Sequence, residues 1–225
     1  MKRIAFFSAW LALCLATSAH DARADVLFES GTLGPTGIPW SDLENGTVPG
    51  TNVSQFVYPG VRFNLPHAGI VTELGGHFAS ASGGSFFAAI VDLDNEADFP
   101  DSADLSTADV VGVSILTFPA PSAEVFGDIA LSLDAGWYSL VFGSGLFGTN
   151  AVGGAPQNNT DIGDPSYISF QAGTGWFNLS DLSDVFEFND YRFIVRGFLI
   201  PEPETLCLAS LGVLLLGSSL DRRRG

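Results

Sequence analysis

The chain has 225 residues, with 25 acidic side chains against nine lysines and arginines, a formal net charge of −16. Replacing phosphate counterions needs a cationic surface, so direct nucleic-acid binding is excluded as a function class. Both cysteines, Cys14 and Cys207, lie in the terminal segments described below, so disulfide, zinc-thiolate and cysteine-nucleophile chemistry are excluded from the body.

The first segment reads as an export signal. Lys2 and Arg3 form a positive n-region, and Ile4 to Leu15 an apolar h-region. Ala22 and Ala24 are the small residues that a signal peptidase reads, which makes residues 1–24 a signal peptide and Asp25 the first residue after cleavage. Thr17 and Ala19 offer a second cleavage position after Ala19. Cys14 invites a lipoprotein reading, but Leu13 stands where that signal wants a small residue.

Between Asp25 and Ile200 the pattern is of strands punctuated by turns. Val53 to Tyr58 and Val61 to Leu65 flank Pro59-Gly60, which reads as a turn between two β-rich runs. Ser85 to Leu93 and Val110 to Phe118 are further strands. Trp137 to Phe142 follows the turn pair Ala135-Gly136 and looks like strands of many extracellular bacterial β-modules. In Tyr191 to Phe198, Tyr191, Phe193 and Val195 share one face, and Arg192, Ile194 and Arg196 the other. No stretch of the body sustains helical periodicity over three turns without Gly or Pro. About nine short strands with Gly-rich turns predict an all-β fold, a single β-sandwich or jelly-roll-like domain over residues 25–200. That body holds 21 acidic residues against only Arg62, Arg192 and Arg196, a charge near −18, and no lysine.

The last segment has three parts in order. Pro201-Glu202-Pro203 cannot continue a helix or a ladder and stays extended and accessible. Leu206 to Leu220 is apolar, but 15 residues span roughly 22 Å as a helix, short of the ~30 Å hydrocarbon core. Such a marginal transmembrane helix suits a transient stop-transfer element better than a lifelong anchor. Arg222, Arg223 and Arg224 then hold the extreme end in the cytoplasm, by the positive-inside tendency. Residues 201–225 thereby resemble the PEP-CTERM sorting signal of Gram-negative bacteria. The resemblance implies an exported protein parked in the inner membrane and processed there by an exosortase-like membrane protease. It further implies bacteria that make exopolysaccharide, with cargo placed at the cell surface or in the extracellular matrix of a biofilm.

Within the body, Gly143 to Gly148 spells GxGxxG after a strand, but Gly153-Gly154-Ala155-Pro156 continues as loop where a dinucleotide fingerprint needs a helix. His67 and His77 have no partners at metal or catalytic spacing, and His77 reads as a hydrogen-bonded structural histidine. No nucleophile elbow or paired-carboxylate signature is present, so the expectation is a non-enzyme. Asp92, Asp94, Glu96 and Asp98 place hard oxygen ligands at alternate positions, as a calcium loop does. The pattern is not an EF-hand, because Ala97 replaces the turn glycine; the other reading is a solvated acidic loop. Trp40, Trp137 and Trp176 could stack on sugars, with Trp176 the most exposed by its context, although most aromatics must fill the core. The expected function is a structural or adhesive component associated with exopolysaccharide. The alternatives are a carbohydrate-binding module and a matrix-polysaccharide hydrolase.

Overall fold

In β6 (Ser85–Leu93) every side chain from Phe86 to Val91 is fully buried, so at this strand its sheet is covered on both faces. The computed structural model describes residues 24–179 and 190–200, and the segments expected to be a signal peptide and a sorting signal lie outside them, apart from Ala24. The described residues are nearly all β and form a sandwich of two six-stranded sheets, with a small two-stranded ribbon. A single short helix, α1 (Trp40–Glu44), follows the first strands.

The first sheet contains β1 (Asp25–Glu29), β3 (Gly50–Val53), β5 (Gly69–Ser80), β8 (Ala123–Leu133), β10 (Gly153–Pro156) and β14 (Phe193–Leu199). Its order is β1-β14-β5-β10-β3, with β8 also paired to β5. The second has the order β13-β12-β4-β9-β6-β7, from β13 (Gly175–Asn178), β12 (Ser166–Gln171), β4 (Val57–Leu65), β9 (Gly136–Gly143) and β7 (Val110–Thr117). The ribbon joins β2 (Gly31–Thr32) to β11 (Thr160–Asp161). Every pairing is antiparallel.

Alternation along the strands separates two apolar clusters. Phe86, Ala88 and Ile90 of β6, Leu140 and Phe142 of β9 and Phe63 of β4 face the first sheet and meet Phe78, Phe193 and Val195. Phe78 lies 4.8 Å from the rings of both Phe86 and Phe142. Tyr191, Phe193 and Val195 all belong to this core, as their common face predicts. The intervening residues Phe87, Ala89 and Val91, with Val141 and Ile168, form the second cluster on the outer face.

That outer face is roofed by the acidic segment between β6 and β7. Leu105 is 2% exposed beneath it, and Phe99 packs alongside. Leu105 takes a positive φ of 50°, rare for a leucine, which turns its side chain down while the acidic neighbours stay in water.

One expected turn is not there. Pro59-Gly60 lies inside β4, a single nine-residue strand, and not between two strands. Pro59 is tolerated because β4 pairs with β9 only from Gly60 onward, so on that flank it has no ladder partner. Gly60 is required by close packing: a Cβ there would sit 2.8 Å from the Leu140 carbonyl oxygen and 3.1 Å from Val141 Cγ2. The strand count also exceeds the nine expected, since 14 are found among the described residues, several of two to five residues. Gly60→Ala is expected to lower stability by about 1–3 kcal/mol, the usual cost of overpacking. Urea unfolding measures it; an unchanged midpoint would return the dipeptide to a loop.

Candidate functional site

His77 sits in β5 between the glycines and aromatics that build the first sheet, and it is fully buried. Both ring nitrogens are engaged. Nδ1 lies 3.2 Å from Asn159 Oδ1, and Nε2 lies 3.0 Å from Ser122 Oγ. Asn159 Nδ2 donates to the carbonyls of Pro156 and Asp190, so its Oδ1 must be the acceptor toward the histidine. The proton therefore sits on Nδ1, and Nε2 accepts from the Ser122 hydroxyl. Ser122 Oγ in turn accepts the Ile38 N–H, and Asn159 Oδ1 accepts the Gly34 N–H.

Serine, histidine and asparagine in this order reproduce the polarity of a nucleophile, a base and its orienting group. None of the three is reachable, with Ser122 2% and Asn159 5% exposed. Acyl transfer needs a carbonyl carbon within about 3 Å of the nucleophile, and the fold fills that space. The cluster instead ties residues 34–38 to β5, to the start of β8 and to the turn before β11. Residues 45 and 82 positions from His77 in the chain supply its partners. No short-range motif could have announced them.

Burial holds the His77 imidazole below its ordinary pKa, an effect only partly offset by the Asn159 hydrogen bond. Arg192 completes this region, donating to Glu124 at 2.6 Å, to Glu29 at 2.9 Å and to the Gly31 carbonyl.

Of the four carboxylates of the expected calcium loop, one lies on β6 and three in the turn that follows it. Asp92 is in β6, its N–H bonded to the Asp109 carbonyl. Asp98 turns back into the segment, where Oδ2 accepts the Asp94 N–H at 3.0 Å and Oδ1 accepts the Phe99 N–H at 2.8 Å. Asp94 and Glu96 are exposed. Asp104 accepts from the Ser106 N–H and hydroxyl, and these bonds hold its carboxyl below the usual range. Among the described residues, no three His, Cys, Asp or Glu side chains converge as a metal site. Here the acidic side chains cap the backbone of their own loop.

Of the tryptophans, Trp176 is half-buried: its indole N–H donates to the Ser102 carbonyl at 3.2 Å and its ring packs on Phe170. It pins the acidic segment to β12 and β13 and is not an open platform. Trp40 packs beside Gly154 of β10. Trp137, at the start of β9, is the tryptophan that borders a surface depression. The GxGxxG segment leaves β9 at Gly143 and continues through residues 144–152 without a helix, but Gly153 to Pro156, expected as loop, is the buried strand β10, because its small residues fit between β3 and β5.

No family model matches the chain, and no curated protein matches it.

The His77 cluster makes a pH prediction. A histidine whose charged form is disfavoured by the fold takes its proton more readily when unfolded, so protonation drains stability. The contribution is complete above the unfolded value near 6.5 and is lost as pH falls from there toward the depressed folded value. His77→Gln is expected to cost about 1–3 kcal/mol at pH ~7.5 and to flatten the loss of stability between pH ~6.5 and ~5. Urea unfolding across that range checks it; a slope equal to the parent's would remove His77 as its source.

Proposed function

We propose that the chain is an exported, non-enzymatic component of the cell surface or extracellular matrix, held briefly in the inner membrane and released by an exosortase-like protease. The observation that carries this reading is the pairing of β1 with β14. Asp25, the first residue after the expected signal-peptide cleavage, lies opposite Gly197. The Pro201-Glu202-Pro203 motif begins only four residues later, at most ~14 Å of extended chain. The residues next to both expected junctions, Asp25 and Leu199, therefore lie on neighbouring strands at one end of the sandwich.

A domain delivered by two membrane signals benefits from that arrangement. Whichever signal holds the chain, the same end faces the bilayer, and neither cleavage requires the folded domain to turn over. Ile200 is bonded through its N–H to the Ala68 carbonyl, so ordered structure continues to the residue before the motif. Five residues, Pro201 to Thr205, separate it from the apolar run and reach at most ~17 Å. Val26, Ile70, Leu199 and Ile200 are exposed apolar residues at this end, in keeping with a surface that spends time close to lipid.

Intact-mass analysis of the protein recovered from its own cells tests the reading. The expected mature form lacks residues 1–24 and most or all residues after Pro203. A mature population that keeps Arg222 to Arg224 would mean a permanent tether. Replacing the three arginines with alanine is expected to reduce retention and processing, because nothing then opposes translocation of the tail. A shortening of matrix polysaccharide by the purified protein would replace the structural role with a hydrolase.

A further inference from the structure

β4 outruns its neighbour. β12 begins at Ser166, opposite Arg62, so Phe63, Asn64 and Leu65 have no strand beside them on that flank. The gap is bounded by Phe28 of β1 and by residues 162–165, which lead into β12, and it opens as a depression of about 170 Å³. That is less than the ~300–1,000 Å³ that enclose a drug-sized ligand, and suits one ring of a longer polymer.

The lining divides by chemistry. Trp137 and Phe28, both half-buried, supply the aromatic part of the lining, and Phe63 of the core lies behind Phe28 at 5.0 Å. The exposed carboxylates of Glu96 and Asp164 stand on opposite loops at the rim, with the Asn64 amide and the Ser166 hydroxyl between them. Aromatic faces paired with carboxylate and amide groups match a sugar ring, whose C–H face is apolar and whose hydroxyls seek acceptors. Glu96, one of the residues of the expected calcium loop, lines this depression.

The walls are held from behind by one side chain. Arg62 is 4% exposed, and its Nε donates to the Asp98 carbonyl at 2.6 Å, fixing the loop that carries Glu96. Its Nη1 donates to Ser166 Oγ at 3.2 Å and to Asn178 Oδ1 at 2.7 Å, fixing the opposite wall. The guanidinium also lies over the Phe99 ring, 4.3 Å from its centroid. Both rims are thus set before any ligand arrives, which lowers the ordering cost of binding.

We infer that this depression is a binding site for a non-acidic sugar ring of a polysaccharide, stacked on Trp137 and hydrogen-bonded to Glu96, Asp164 and Asn64. The acidic rim and a body charged near −18 exclude uronic-acid polymers as the preferred ligand. The inference deepens the proposed matrix role and rests on it only for the setting. Its test does not depend on processing, so the two can fail separately.

The test is calorimetric titration of the full-length chain, in a detergent without a sugar headgroup, with hexamers of glucose, of glucosamine and of galacturonic acid. The expected result is saturable binding of at least one of the first two, and none of the galacturonic acid oligomer. Trp137→Ala should weaken binding tenfold or more. Asn64→Ala, which removes an exposed side chain and its bond to the Gly136 carbonyl, should weaken it severalfold while the variant remains folded by its melting transition. Trp176→Phe should leave it unaltered. The proposal is overturned if neither hexamer binds, if the acidic oligomer binds equally well, or if Asn64→Ala and Trp137→Ala both retain parental affinity.

Discussion

A sheet buried on both faces needs two covers, and the second sheet of this sandwich has only one sheet to offer it. The other cover has to come from a loop. The segment between β6 and β7 meets that demand by turning Leu105 and Phe99 down onto Phe87, Ala89 and Val91 while its carboxylates remain in water. Loops rarely bury much, because their backbone groups need partners. Here those partners are the carboxylates themselves, with Asp98 and Asp104 accepting main-chain N–H groups nearby. Acidity in this loop is therefore part of how it closes on the sheet. The depression beside β4 is a by-product of the same cover, since one of its walls is the loop that Arg62 holds down.

The arginines show how charge is distributed through the body. Arg62 is buried against the acidic loop, Arg192 bridges Glu29 and Glu124, and Arg196 pairs with Glu73 and lies over the Phe126 ring. All three are committed to internal contacts. The outer surface is left to carboxylates, and a protein with this surface meets other polyanions with repulsion and stays dispersed in water.

How far the sequence could be read follows from how local each signal is. β6 and β9 are plain in it, because their unbroken apolar runs are short and bounded by turn residues. The glycines of β5 are close approaches: a Cβ on Gly75 would meet the Val125 carbonyl oxygen at 2.2 Å. Pro59-Gly60 misleads because a turn and a crowded strand crossing both call for glycine. Among the site residues, Trp137 and Glu96 were visible as residue types, but their meeting depends on where β12 stops. The partners of His77 lie on other strands and loops, beyond any spacing rule. Leu105 and Phe99 within an acidic run were the available sign that this loop covers something.

The last described strand, β14, is hydrogen-bonded along one edge to β1 and along the other to β5. A pull on the chain beyond Ile200 enters at the end of that strand and runs along its axis. Separating it means sliding two ladders at once, so many hydrogen bonds carry the load together and none can be peeled first. A strand at the sheet edge, pulled outward, would unzip one bond at a time. By ending on an interior strand, the described domain resists a force applied to the chain at Ile200.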